Sequence, residues 1–267
     1  MFFALVTGTA VAILFTVFPE WDLAITAWFW DAGTRTFQLS GFEWSKAFRS
    51  AANIIPWIFA GPAFAAIILK LLFPGRPMFL PARAAVLLAV TMALGPGLIV
   101  NGLLKEHWGR PRPVHLETFG GKDVFNPWYS TEGKCPGNCS FVSGEGSLGF
   151  WLIAPASLVP PPYRGIAIGA AALFGATAGG LRIAFGGHFF TDVVFSAVLT
   201  ILLIAVMRFL LFDRRHPPSD AAVERGVGQL GRALHALGRA VWRAMAWATR
   251  STMRALRAHL PRRGSGL

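Results

Sequence analysis

Three short stretches carry the residue types that could do chemistry. The first runs Lys105-Glu-His-Trp-Gly-Arg-Pro-Arg112-Pro113. The second is Phe141-Val-Ser143-Gly144-Glu145-Gly-Ser147, and the third Arg182-Ile-Ala-Phe-Gly-Gly-His188-Phe-Phe-Thr-Asp192. Lys105, Arg112 and Arg182 supply fixed positive charge, and an arginine can grip phosphate oxygens in bidentate fashion. Ser143 and Gly144 open an apolar run that reads as a helix. Their N–H groups can point at an anion, and a glycine lets the backbone approach it closely. His188 and Asp192 are four residues apart, so a carboxylate could hydrogen-bond the imidazole and leave its other nitrogen free to attack phosphorus. Each piece alone has a plainer reading, as a satisfied polar pair, a headgroup anchor or a helix cap. Brought to one place, they describe a site for phosphoryl chemistry.

Such a site needs elements that carry all three stretches to one face. Of the 267 residues, 54% are hydrophobic and 14% charged, against about 25% charged in soluble domains. The apolar residues cluster in runs near the roughly 20 residues that cross a hydrocarbon layer. Six spans are expected, at about 2–18, 52–73, 84–104, 146–159, 165–181 and 193–212. The first has no basic residues before it and ends in Phe-Pro-Glu-Trp, which favours a retained helix over a signal peptide. Residues 20–50 interleave Trp21, Trp28, Trp30 and Trp44 with charged side chains. This segment is expected to form one or two short helices on the membrane surface. Pro160 to Arg164 read as a tight turn. The fold class is therefore all-α: a polytopic six-helix membrane bundle over 1–212, with an interfacial helical segment and a basic tail over 213–267.

Charge sets the orientation. Six spans leave both termini on one side. The tail holds eleven Arg, no Lys and three acidic residues, a net +8. With Arg76, Arg83 and Arg164 on the same side, the positive-inside rule makes that side cytoplasmic. The three chemistry-bearing stretches then share the outer, periplasmic face of a bacterial inner membrane. Lys105, Arg110, Arg112, Lys122 and Lys134 lie there against the rule, as cations that bind a ligand would. In the tail, Leu230, Leu234, Leu237, Val241 and Met245 recur every three or four residues with Arg232, Arg239 and Arg243 between them. That is a basic amphipathic helix suited to an anionic leaflet; a partly disordered anchor is the alternative. A formal charge of +12 often means nucleic acid, but beside membrane helices it points to anionic lipid. Cys135 and Cys139 fall in the outer loop and are expected to pair as a disulfide there, free thiols being the alternative. Two cysteines alone leave a tetrahedral zinc site unfilled, so no metal is expected.

The ordered pattern resembles the type 2 phosphatidic acid phosphatase superfamily of membrane phosphatases. That family reads Lys, six residues, Arg-Pro; then Pro-Ser-Gly-His; then Ser-Arg, five residues, His, three residues, Asp. This chain gives Lys105, six residues, Arg112-Pro113; then Val142-Ser143-Gly144-Glu145; then Leu181-Arg182, five residues, His188, three residues, Asp192. The resemblance covers roughly residues 50 to 210. It implies a metal-independent phosphomonoesterase without a cofactor. His188 would be the nucleophile, forming a phosphohistidine, and Asp192 would orient it. Lys105, Arg112, Ser143, Gly144 and Arg182 would hold the phosphoryl group.

Three positions depart from the pattern: Val142 for Pro, Leu181 for Ser, and Glu145 for the histidine that protonates the leaving oxygen. A glutamic acid does that job only with a raised pKa. Nearby cations oppose this, while burial and bound phosphate would favour it. Glu145 is expected to be the general acid; His107, His115, water or no acid at all are the alternatives. The expected substrate is a phosphorylated membrane lipid: phosphatidic acid, phosphatidylglycerol phosphate, a polyprenyl pyrophosphate or lipid A 1-phosphate. Pyrophosphate and anomeric groups leave most easily, which favours the last two. A lipid phosphotransferase and a non-catalytic anionic-lipid binder or transporter are the rivals. The oligomeric state stays open.

Overall fold

A chain in lipid must satisfy its own backbone hydrogen bonds, so the apolar runs fold as helices. The computed structural model describes residues 1–259. Helix α1 (Phe2–Val17) meets α2 (Glu20–Ala27) at 99°. Then come α3 (Glu43–Leu72), α4 (Ala82–His107), α5 (Gly144–Trp151), α6 (Ile153–Ser157), α7 (Pro161–Ala184), α8 (Phe190–Asp213) and α9 (Asp220–His259). Four of them, α3, α4, α7 and α8, are long and apolar enough to cross a membrane. The bent α1–α2 pair makes a fifth if it is one span.

Several boundaries differ from those expected, each for a local reason. Between α2 and α3 the surface segment is not wholly helical: Trp30–Asp31 pairs antiparallel with Thr36–Phe37. Asp31 Oδ1 accepts from Gly33 N at 2.8 Å and Thr34 N at 3.4 Å, so the side chain builds the turn. Helix α3 starts at Glu43 rather than near 52 and takes the charged residues after Phe42 into its first turns. The expected fourth span is two short helices, α5 and α6. Pro155 lacks the N–H that would reach the Trp151 carbonyl, and the helix breaks there. The expected Pro160–Arg164 turn is instead the start of α7, where the missing proline N–H costs nothing.

Two features position the site. Residues Ala93–Leu104 of α4 wind as a π-helix containing Pro96, and Asn101 Nδ2 donates to the Pro96 carbonyl at 2.6 Å. This widened stretch ends at Lys105. Helix α5 is held hard against its neighbours. Trp151, fully buried, donates Nε1 to Thr91 Oγ1 on α4 at 2.9 Å, and Ser147 and Thr200 on α8 share a 2.8 Å hydrogen bond. Against α7 the contact is glycine on glycine, as close helix packing in membranes favours. A Cβ at Gly149 would lie 2.8 Å from Gly175 Cα, and one at Gly175 would lie 2.6 Å from Phe150 Cδ1.

At the other end of the bundle α9 is tied down at its root. Glu224 pairs with Lys70 at 2.8 Å and Asp220 with Arg83 at 2.9 Å. Further along, Leu234, Leu237, Val241 and Met245 are exposed, as are Arg239 and Arg243.

The α5–α7 contact gives a test of this packing. Gly175→Val is expected to destabilise the bundle by about 1–3 kcal/mol and to lower its melting temperature in detergent. Gly169→Ala, where nothing lies within 4 Å, is the control and should leave the melt unchanged.

Candidate active site

The first stretch leaves α4 with Lys105 in its last turn, and the long loop folds back onto it. Cys139 N donates to Lys105 O at 2.9 Å and Ser140 N to Arg110 O at 2.8 Å. Cys135 and Cys139 are joined as a disulfide, their Cα atoms 5.8 Å apart. Arg112 is held by Asn138: its Nη2 donates to the carbonyl at 2.8 Å and to Oδ1 at 2.6 Å.

The second stretch begins α5. Ser143 caps it, Oγ accepting from Gly146 N at 3.1 Å, while Ser143 N donates to the Asp192 carbonyl at 3.1 Å. Gly144 is pressed by the first stretch. A Cβ there would lie 2.9 Å from both Lys105 Nζ and Asn101 Oδ1. Only glycine lets the ammonium settle over the helix start.

The third stretch turns sharply between α7 and α8. Gly186 has φ 65°, and Gly187 N and His188 N both donate to the Arg182 carbonyl, at 2.9 and 3.3 Å. The Arg182 guanidinium folds over Gly187, where a Cβ would meet Nη2 at 2.3 Å. Its Nε is buried and makes no hydrogen bond among the described residues.

His188 is almost fully buried. Its Nδ1 lies 2.7 Å from the Ser140 carbonyl. A carbonyl only accepts, so Nδ1 carries the proton and Nε2 has a free lone pair. The expected carboxylate bond is longer: Asp192 Oδ2 is 3.6 Å from Nδ1 and acts through its charge. Burial dominates and pushes the His188 pKa down to about 4, with Asp192 opposing it only in part. The ring is neutral at neutral pH.

Asp192 is busy elsewhere. It accepts from Ser140 Oγ, from Phe189 N at 2.9 Å and from Arg110 Nη1 at 2.5 Å. Arg110 is fully buried and bridges to Asp22 on α2, with Nη2 2.8 Å from Oδ2. Thr191 closes the group, its N and Oγ1 donating to Asp22 at 3.0 and 2.6 Å. The guanidinium stacks over Phe189 at 4.0 Å. The sequence showed Arg110 only as one loop cation among several and Asp22 only as a surface charge. Ser140 carried no signal.

Glu145, in the first turn of α5, is gripped from α3. Arg49 Nε lies 3.0 and 3.1 Å from its two oxygens and Nη2 2.8 Å from Oε1. Arg182 Nε is 3.5 Å from the same Oε1. Bidentate pairing favours the carboxylate over the acid form, against the expectation of a general acid here. Among the described residues neither the His107 nor the His115 side chain hydrogen-bonds to this cluster; His107 Nδ1 is engaged by the Leu103 carbonyl at 2.9 Å. Also among the described residues, no three His, Cys, Asp or Glu side chains are grouped to hold a metal ion.

Residues 84–220 match the family model described as PAP2 superfamily. The chain is 34% identical over 205 residues to a protein of Francisella tularensis subsp. novicida named lipid A 4'-phosphatase, covering 76% of this chain and 91% of that relative. It is 38% identical over 126 residues to a Rhizobium leguminosarum protein of the same name, covering 47% of this chain and 54% of the relative. A Rhizobium etli protein, again so named, is 38% identical over 125 residues, 47% of this chain and 49% of its own length. No solved structure matches the chain. The relatives are named for the 4' phosphate, not for the 1-phosphate that leaving-group chemistry favoured. The chain belongs to the PAP2 superfamily and is a metal-independent membrane lipid phosphatase.

Proposed function

We propose that this phosphatase removes the 4'-phosphate of lipid A through a phosphohistidine on His188, at the periplasmic face of a bacterial inner membrane. The observation that carries the substrate is the likeness to the Francisella enzyme over 91% of that enzyme's length. The mechanism is supported by a buried neutral imidazole with Nε2 free, inside a ring of cations from three stretches.

Lys105, Arg112, Arg182 and the N–H groups opening α5 hold the phosphate oxygens and bear the charge that redistributes as phosphorus is attacked. The Ser140 carbonyl fixes the Nδ1–H tautomer. Asp192 stabilises the ring as it becomes cationic. Water then hydrolyses the N–P bond and frees inorganic phosphate.

The topology that fits is six crossings, by α1, α3, α4, the α5–α6 pair, α7 and α8, with both termini cytoplasmic. The roots of α9, Lys70 and Arg83 lie together at the end away from His188, as the positive-inside rule asks. Helix α9 would then rest its exposed apolar residues on the inner leaflet.

Purified protein in detergent with EDTA should release phosphate from lipid A, and the product's mass spectrum should show loss at the 4' position. Loss at the 1 position, or none, would reject the substrate. His188→Ala should lower release by on the order of 10³-fold or more while the protein still folds, as a cooperative melt would show. Because protonation silences the nucleophile, its acid limb in kcat/KM should fall near pH 4 rather than the ordinary 6.5, after correction for the substrate's own ionisation. Arg110→Ala strands two buried carboxylates, at an expected cost of about 3–5 kcal/mol. Thermal melts of Arg110→Ala beside Arg112→Ala should show the large loss only in the former.

A further inference from the structure

Glu145 replaces the family's proton donor, and its surroundings leave it unsuited to that role. The side chain that holds it, Arg49, comes from α3 and lies outside the residues that match the family model. The pair is directional: the Glu145 side chain is 17% exposed and that of Arg49 45%. The carboxylate is the more buried partner, beside Arg182, and the guanidinium is the one that reaches solvent. Arg49 is also within electrostatic range of the rest of the cluster. Burial lowers the pKa of Arg112, and among the charges acting on it are Glu145, Asp192 and Arg49. A guanidinium does not give up its proton at working pH, so it can stabilise a leaving oxygen only by charge and hydrogen bonding.

We propose that Arg49 is the leaving-group residue of this enzyme: held by Glu145, its guanidinium faces the departing oxygen and stabilises the negative charge that the family's histidine would remove by proton transfer. The inference rests on the phosphohistidine reading above. The His188 Nε2 lone pair forms the N–P bond as the bond from phosphorus to the sugar oxygen breaks. The bonding electrons go to that oxygen, to which Arg49 donates a hydrogen bond while keeping its proton. Water protonates the oxygen as the sugar hydroxyl leaves. The resulting hydroxide attacks the phosphohistidine, releasing phosphate and restoring neutral His188. Glu145 is a positioning residue in this scheme and Arg49 a catalytic one. A 4' ring hydroxyl is a poorer leaving group than an anomeric one, so the need for such help is real.

The test is steady-state kinetics with three phosphate esters. Lipid A and octyl phosphate have alcohol leaving groups; p-nitrophenyl phosphate has one that departs with little help. Arg49→Gln should lower kcat on the two alcohol esters by about 10²-fold, the loss typical of one oxyanion donor, with KM little changed. It should leave p-nitrophenyl phosphate nearly unaffected, which a misfolded variant could not do. Glu145→Gln should act similarly, and the double variant should be no worse than either single one, because the two side chains act as a unit. Glu145→His restores a proton donor, and in that background Arg49→Gln should cost little. Full activity of Arg49→Gln on octyl phosphate would overturn the proposal. So would equal losses on all three esters, or an inactive Glu145→Gln beside an active Arg49→Gln. Wild type that hydrolyses octyl phosphate but not lipid A would reject the substrate and leave the role of Arg49 to be read from the soluble esters.

Discussion

The buried guanidinium of Arg110 is the constraint around which this end of the bundle is organised. A fully buried arginine persists only if its charge and its donors are met, because an uncompensated ion in a low-dielectric interior costs several kcal/mol. Here Asp22 and Asp192 supply the charge, Asn126 and Thr191 supply further acceptors, and Phe189 supplies a face to stack on. The partners come from α2, the long loop and the start of α8. None can shift without stranding a charge. His188 lies four residues before Asp192, so its place follows from that lock.

The remaining stretches are registered to the same point by backbone hydrogen bonds rather than by helix packing. Ser143 N reaches the Asp192 carbonyl, Ser140 N reaches Arg110 O, and the Ser140 carbonyl accepts a hydrogen bond from His188 Nδ1. Lys105 is set by its approach to Gly144, and Arg112 by the turn at Asn138 beside the disulfide. The spanning helices supply a rigid rim. The loops, crossing from one rim position to the next, supply the precision, as rigid scaffolds with functional loops commonly do.

Much of this was legible in the sequence, and the reasons are physical. Long apolar runs announced α3, α4, α7 and α8 because lipid leaves a spanning chain few alternatives to helix. Lys105, Arg112, Ser143, Gly144, Arg182, His188 and Asp192 stood out by type and spacing, and the structure gathers them at one end of the bundle. Arg49 was missed because α3 was expected to start near residue 52. A charged residue among tryptophans looked interfacial, whereas about nine more helical residues carry it to Glu145. Asp22 and Arg110 were missed because their pairing spans 88 residues, and long-range ion pairs leave no local periodicity. Asp192 was expected to spend its oxygens on the imidazole. It serves Arg110, Ser140 and Phe189 instead, since a carboxylate with several donors in reach satisfies the more strongly charged one first.

The proposed role of Arg49 accounts for how a member of this family can work without its acid histidine. In the proposed mechanism a phosphomonoester arrives as an anion and meets three cations, Lys105, Arg112 and Arg182, with Arg49 beyond them on the far side of Glu145. A neutral His188 adds no positive charge to that ring, and in the proposed mechanism its lone pair is the one that attacks. Unbalanced, such a ring would repel itself, and Glu145 beside Arg182 and Arg49 relieves that repulsion. A histidine at 145, when protonated, would add a further cation to the ring. A glutamate subtracts one charge and orients another. The exchange gives up proton donation and gains a fixed guanidinium, whose help does not depend on pH in the way an imidazole's does.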